Sequence, residues 1–207
     1  MSSNTVVLIT GVNRGPGSAA IIVSLDSASP TDALDAISFL QSAHSITKLD
    51  TVIANAGIQK ALPWVRDVTA ASLQEHFLVN VIGPVLLFQA ALPLLDAAAD
   101  AGGTPPRFVT VGSAGGSIAL TGELPFPNAA YGPGKAALHY LTRKVHTEHP
   151  ALVAFPIDPG WTKSDMGNAA ARVFGREQAD VEVGDSVAGM MRVVSLEGGT
   201  VWVLKLG

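Results

Sequence analysis

Six short apolar runs punctuate the chain: Thr5–Thr10, Ile21–Asp26, Leu49–Ala54, Arg107–Val111, Leu152–Ile157 and Val201–Leu206. Their apolar character is continuous rather than alternating, which predicts strands covered on both faces. Helical patterns fill the intervals. A helix is predicted over Thr31–His44, opened by Pro30-Thr31-Asp32. A longer one covers Thr69–Ala99, kinked or broken near Pro84 and Pro93. Ala129–His149 carries Ala137, Leu138, Leu141 and Val145 at helical spacing, and Asp185–Val194 forms a shorter helix. Ala101–Pro106 and Ala114–Asn128, rich in Gly and Pro, predict loops. Apolar runs alternating with helices predict an α/β fold with a parallel sheet in three layers. With no internal repeat and no linker, residues 1–207 are expected to form a single domain.

Composition narrows the function classes. Hydrophobic residues make up 48% and charged residues 14%, which excludes a disordered chain. A net charge of −4 without a Lys/Arg-rich run argues against nucleic acid and against an anionic membrane surface. There are no cysteines, so disulfides, thiolate metal sites and a cysteine nucleophile are excluded. No basic region precedes the first apolar run, so no signal peptide is expected, and a cytoplasmic location is the expectation. The apolar stretch Val81–Ala99 is interrupted by Gly83, Pro84, Gln89, Pro93 and Asp96, and reads as a core or interface helix rather than a membrane span. The histidines at 44, 76, 139, 146 and 149 show no metal-ligand spacing; His146 and His149 fall near a helix C-terminus. Ser113 lacks the G-x-S-x-G elbow and has no acid–histidine pair, which argues against a hydrolase.

Two segments carry candidate chemistry. The first strand runs into Thr10-Gly11-Val12-Asn13-Arg14-Gly15-Pro16-Gly17. A Gly-rich turn between strand and helix lets the backbone approach a pyrophosphate; it is also compatible with a turn that binds nothing. Arg14 either pairs with a 2′-phosphate, favouring NADP over NAD, or is a surface arginine. Pro16 has no N–H to offer a phosphate. Farther on, Tyr131-Gly132-Pro133-Gly134-Lys135 opens a helix, and residues i and i+4 share a face. A cation beside a phenol is expected to lower the tyrosine pKa, suiting it to donate a proton to a carbonyl oxygen. Taken alone, the pair is far more often a surface contact.

Taken in order, these segments resemble the short-chain dehydrogenase/reductases. The resemblance rests on Thr10–Gly17, Asn55-Ala56-Gly57, Asn80, Ser113, Tyr131 with Lys135, and Pro159-Gly160. Within that family the chain looks most like fungal ketoreductases of the norsolorinic-acid-reductase type. That likeness is carried by Ile53–Gly57, Pro125–Tyr131, Asp158-Pro159-Gly160-Trp161 and Asp165-Met166-Gly167. The resemblance implies a Rossmann-like doubly wound sheet and reduction of a ketone by NADPH, on a small-molecule carbonyl substrate such as an aromatic or polyketide secondary metabolite. It implies that Tyr131 donates the proton, Lys135 lowers its pKa and holds the nicotinamide ribose, Ser113 orients the carbonyl oxygen, and Asn80 holds a helix kink and a relay water. For the cofactor it implies Gly11, Asn13, Arg14, Gly15, Gly17, Asn55, Ala56 and Gly57, with Asp26 at the adenine, and Pro159, Gly160, Thr162 and Ser164 toward the nicotinamide. A dimer or tetramer through Thr69–Ala99 and Ala129–His149 is a further implication.

One departure is large. The family follows its glycine loop with a helix, a second strand and another helix, a stretch of roughly 30 residues. Here Ser18, Ala19 and Ala20 alone separate Gly17 from Ile21, whose run resembles the family's third strand. Parallel neighbours need a crossover of about a dozen residues or more. Either the strand pairs differently, or the edge is disordered, or part of the natural protein lies outside this sequence. Gly112 and Gly134 also stand where the family commonly has serine. Besides a reductase, a redox-inactive scaffold and a dehydratase or isomerase using Tyr131 therefore stay open.

Overall fold

The computed structural model describes residues 5–11, 21–124, 126–194 and 200–205. Its strands are β1 (Val6–Ile9), β2 (Ile22–Ser24), β3 (Thr51–Ala54), β4 (Arg107–Val111), β5 (Val153–Ile157) and β6 (Thr200–Lys205). All five pairings are parallel, in the order β2-β6-β1-β3-β4-β5. Side chains alternate across this sheet, as strand geometry requires. Val52, Ala54, Phe108 and Ala154 enter one core, and Ile53, Val109, Val111, Phe155 and Ile157 enter a second. Helices cover both faces, giving the predicted three layers.

Helix α1 (Asp32–His44) buries Ala33, Ala36, Ile37 and Leu40, one stripe of a 3.6-residue repeat. The Thr31 side chain caps nothing; Ser29 Oγ instead accepts from the Asp32 N–H at 3.2 Å. The predicted long helix is three pieces: α2 (Ala70–Phe77), a π-helical turn (Leu78–Ile82) and α3 (Gly83–Asp100). The widened turn ends just before Pro84, whose ring excludes the carbonyl four residues back and whose nitrogen has no hydrogen to give it. Pro93 does not end α3. Leu87, Phe88, Ala91, Leu94, Leu95 and Ala98 of α3 are buried against the first core, and Phe88 meets Phe108 edge to face at 5.0 Å. Burying a leucine as fully as Leu95, 0% exposed, stabilises by about 2 kcal/mol. The helical run Ala70–Asp100 is long and apolar enough to cross a membrane, but half of its most apolar window lies inside the protein.

Helix α4 (Tyr131–Glu148) packs beside β5 and the π turn; α6 (Val183–Val194) places Met190 and Val194 against the second core. Helix α5 (Asp165–Val173) has no counterpart among the predicted elements. Its start was legible: Ser164 accepts from the Gly167 N–H at 3.1 Å, the ordinary work of an N-cap serine.

The short connection after β1 is resolved by pairing. β2 does not lie beside β1. β6 occupies the slot between them, with Val6 opposite Thr200 and Ile22 opposite Val203. A direct β1–β2 neighbour pair would need a crossover longer than the chain provides. β6 arrives after α5 and α6, with ample chain to cross. The strand after the glycine loop therefore pairs with β6 rather than with β1.

Candidate active site

The carboxyl ends of β1, β3, β4 and β5 converge, the place where open parallel sheets present ligand sites. At the end of β1, Thr10 is 2% exposed, and its Oγ1 accepts from the N–H groups of Asn55 and Ala56, each at 3.1 Å. Asn55 Nδ2 donates to the Thr10 carbonyl at 2.9 Å. Asn55, Ala56 and Gly57 are thereby locked to the start of the glycine loop, where Gly11 has φ +75°. Asn13, Arg14, Gly15 and Gly17 lie outside the described residues. Asp26, just past β2, is exposed and uses Oδ1 to accept from its own turn at Ala28, 2.8 Å. Its neighbours Leu25 and Ser27 meet Thr10, Ala54 and Ala56 around a small cavity, so Asp26 stands at the same sheet edge.

Asn80 sits in the π turn, 0% exposed, and closes both hydrogen bonds on one residue: Oδ1 accepts from the Ile58 N–H at 2.8 Å and Nδ2 donates to the Ile58 carbonyl at 2.9 Å. The helix irregularity thus tethers α2 and α3 to the segment after β3. A Cβ on Gly57 would lie 3.1 Å from Asn80 Oδ1 and 3.7 Å from Lys135 Nζ. The missing side chain leaves a cradle bounded by backbone, amide and ammonium.

Helix α4 supplies the centre. Tyr131, Lys135, His139 and Thr142 fall on one face and form a polar seam along β4. Lys135, 4% exposed, donates from Nζ to the Val111 carbonyl at 2.6 Å and stands 5.5 Å from the centroid of the Tyr131 ring. Tyr131 and Ser113 line the same cavity, and the Ser113 hydroxyl favours the ionised phenol. His139 Nε2 accepts from the Ser113 N–H at 3.2 Å, and Thr142 Oγ1 lies 2.8 Å from Thr110 Oγ1. His139 also explains Gly112: a Cβ there would come within 2.4 Å of Nε2. The imidazole fills the space that a side chain at 112 would need.

The electrostatics correct one expectation. Burial pushes the Tyr131 hydroxyl up to about 12; the Ser113 hydrogen bond opposes this and the negative charge of Asp158 adds to it. Lys135 does not draw the phenol down, because desolvation acts on the ammonium as well and lowers it to about 8. His139 is lowered by burial, then by Lys135. The tyrosine is therefore a neutral acid across the physiological range.

Sequence reasoning named neither His139 nor Asp158 as site residues. Both had signals: His139 continues the Tyr131–Lys135 spacing by four, and Asp158 follows directly on a parallel strand. The Asp158 carboxylate accepts from the Ala114 N–H at 2.7 Å and the Gly160 N–H at 2.9 Å.

Beyond Tyr131 and Ser113 opens a cavity of about 810 Å³, walled by Phe126, Asp158, Trp161, Phe174 and Arg176 among others. Phe126 and Trp161 flank Phe174, with centroids at 5.0 and 5.9 Å. Arg176 stacks over Trp161 at 5.0 Å and is paired with Asp180, so the one cation that the described residues place in this wall is already neutralised. Pro159, Gly160, Thr162 and Ser164 line the same cavity. Thr162 Oγ1 lies 3.2 Å from Ser186 Oγ of α6, and Ser164 caps α5. Their side chains thus hold this wall together. No cluster of metal-binding side chains occurs among the described residues.

A parallel three-layer sheet with a Ser113–Tyr131–Lys135–Asn80 centre at its carboxyl edge defines a Rossmann-like oxidoreductase scaffold. The profile of the short chain dehydrogenase family matches residues 5–173, and the chain belongs to that family. It is 41% identical over 178 residues to a norsolorinic acid ketoreductase of Emericella nidulans, covering 86% of this chain and 66% of that protein. It is 41% identical over 183 residues to the norsolorinic acid ketoreductase of Aspergillus parasiticus, covering 88% and 66%. The chain thus spans about 66% of the length of these relatives. The NADPH-bound carbonyl reductase from chicken fatty liver superposes with a TM-score of 0.72 at 30% identity, covering 86% of this chain and 70% of that one. The carbonyl reductase Sniffer of D. melanogaster shares the fold, with a TM-score of 0.77 at 20% identity over 94% and 92% of the two chains.

The family binds a nicotinamide dinucleotide. The described half of the site fits one: the Gly57 cradle is open beside the buried Lys135 amine, and Asn55–Gly57 are fixed to the glycine loop.

Proposed function

We propose that the chain is an NADPH-dependent ketoreductase acting on a bulky, largely apolar ketone, aromatic or polyketide-like. The observation that carries this reading is the Tyr131 hydroxyl, neutral up to about 12, lining with Ser113 a cavity walled by Phe126, Trp161 and Phe174. When bound, NADPH supplies a hydride to the carbonyl carbon. Lys135, Pro159, Gly160, Thr162 and Ser164 would hold its nicotinamide side. Gly11, Asn13, Arg14, Gly15, Gly17, Asp26, Asn55, Ala56 and Gly57 would hold its adenosine side, with Arg14 favouring the 2′-phosphate. Ser113 Oγ is held by the Gly115 N–H at 3.1 Å, and its hydroxyl hydrogen would turn from Tyr131 to the carbonyl oxygen when substrate is bound. Tyr131 gives its proton to that oxygen as negative charge develops there. The aromatic wall lets flat rings replace water around the reacting group.

The test is NADPH oxidation with aromatic ketones. Tyr131→Phe is expected to lower kcat by about 10²–10⁴-fold, leaving NADPH affinity within a factor of a few. Absence of NADPH binding by calorimetry refutes the reading. A second reading, a redox-inactive member acting as a scaffold or in a dehydration or isomerisation, is favoured by one observation: β6 fills the position beside β1. It predicts that same absence of binding. The exposed Leu78, Ile82 and Tyr140 on the two long helical segments support a dimer through them; a monomer by light scattering refutes it.

A further inference from the structure

The Ser113 amide leans on a titratable acceptor. His139 Nε2 lies 3.2 Å from the Ser113 nitrogen. A backbone amide only donates, so this bond exists only while Nε2 carries a lone pair. The ring is therefore neutral, with its hydrogen on Nδ1. The amides on either side have acceptors of their own: Gly112 N–H goes to the Ile157 carbonyl at 2.7 Å, and Ala114 N–H to the Asp158 carboxylate at 2.7 Å. His139 thus holds the one amide that belongs to Ser113 itself. On its own helix, Lys135 and Tyr131 lie one and two turns back, and the exposed Arg143 one turn on. Asp158 stands beyond β5. β4 offers the ring Gly112 and Ser113, and neither the turn Ala114–Gly116 nor the π turn carries a charged side chain. From α2, His76 meets α4 at Gly134 through its backbone carbonyl, and its ring is bound at Ser72 and Lys60. Burial first, then the Lys135 charge, holds the His139 imidazole below its ordinary range, against the pull of Asp158.

We propose that His139 is a positioning residue for the reduction: its neutral ring holds the Ser113 amide, and so sets the Ser113 hydroxyl on the cavity wall it shares with Tyr131, while its imidazolium lets that amide go. The inference rests on the ketoreductase reading. Protonation puts an N–H where the lone pair was, so two donors face each other and the amide must shift. The Ser113 hydroxyl shifts with its backbone, because Oγ is bound to the Gly115 N–H of the same loop. A carbonyl oxygen shared by Ser113 and Tyr131 tolerates little such movement, since proton transfer needs hydrogen-bond reach.

The first arm of the test needs no turnover. In isotope-labelled protein the Ser113 amide is followed by NMR against pH, over the range in which the protein is folded. Scalar coupling across the N–H···N bond picks out the His139 ring among the five histidines. The amide resonance is expected to follow the titration of that ring, below the ordinary histidine midpoint, and the coupling to vanish as the ring protonates. An amide that holds its position through that titration overturns the proposal. The second arm measures kcat/KM for an aromatic ketone, which reports groups of the free enzyme. The wild-type profile is expected to fall on the acid side with the His139 midpoint, by roughly tenfold between neutral and protonated ring. His139→Gln keeps an acceptor that does not titrate there, so this limb is expected to disappear. His139→Leu has no acceptor and is expected to run roughly tenfold below the glutamine variant at neutral pH. An unchanged limb in His139→Gln, or equal rates for the two variants, overturns the proposal. Should the variants not fold, the wild-type protein decides: an acid limb whose midpoint differs from that of the Ser113 amide overturns it. A wild-type protein that oxidises no NADPH refutes the reductase reading, and the amide titration, measured independently, tells that failure from a failure of the His139 bond.

Discussion

Lys135 is the most expensive side chain in the site, and its cost is measurable. The amine is 4% exposed and its pKa falls from the ordinary 10.5 to about 8, with desolvation as the first cause. At neutral pH the folded protein carries a buried ammonium that an unfolded chain would hydrate. The drop corresponds to about 3 kcal/mol of destabilisation below pH 8. Between about 8 and 10.5 the unfolded chain binds the extra proton, so stability rises with pH across this window and the penalty is gone above it. Lys135→Met removes the charge and keeps the length. It also forfeits the bond to the Val111 carbonyl, worth about 1 kcal/mol net. The variant is expected to be more stable by roughly 1–2 kcal/mol at pH 7, with the advantage shrinking and then reversing by pH 9.5 to 10. Urea denaturation of both proteins at several pH values measures it. Readings below pH 10 avoid Tyr131, whose raised pKa acts oppositely by lowering stability between about 10 and 12. A stability difference that stays flat from pH 7 to 10 refutes the reasoning. The same variant is expected to lose reductase activity, so the stabilisation and the function are opposed at this position.

Three further predictions follow from packing. Gly112→Ala places a methyl within 2.4 Å of His139 Nε2 and is expected to cost about 1–3 kcal/mol by thermal denaturation. His139→Ala should absorb most of that, so the double variant is more stable than the sum of the singles by about 1 kcal/mol; strict additivity argues against the contact. Asn80→Leu strips both partners from the Ile58 backbone, and is expected to cost about 2–4 kcal/mol by urea titration. Thr51 in β3 is 0% exposed with no partner for Oγ1, so Thr51→Val is expected to raise stability by about 1 kcal/mol; a lower Tm would show that the hydroxyl is satisfied.

What the sequence made legible was local. Tyr131 and Lys135 are one helical turn apart, so their juxtaposition follows from helix geometry once the helix is recognised. Arg107–Val111 appears as a strand with the predicted bounds, and Pro84 marks the disturbance that becomes the π turn. What escaped needed contacts between distant segments. The expected fall in the Tyr131 pKa followed from its distance in sequence to a cation, but burial decides the sign, and burial is a property of the assembled wall of α4, β4 and the cavity. Asp158 and His139 join the Ser113 loop across separations of 44 and 26 residues, which no local periodicity encodes. Gly112 looked like a departure from the family pattern; in the fold it is one half of a pair whose other half lies on α4.

The two halves of the site therefore depend on different parts of the chain. The acid–base centre is built from α4, the ends of β4 and β5, and the π turn, tied together by the Lys135–Val111, Ser113–His139 and Asn80–Ile58 bonds. None of these bonds involves β2 or β6. The opposite half depends on what stands beside β1, and there the hydrogen-bonding partner is the last strand, 194 positions away from its register mate at Val6. Parallel pairing over such a separation carries a higher loop-closure cost than the pairing of β3 with β4. In the proposed reading the proton chemistry belongs to the β3–β4–β5 side of the sheet, and the hold on the adenosine portion of a dinucleotide to the β6–β1 edge.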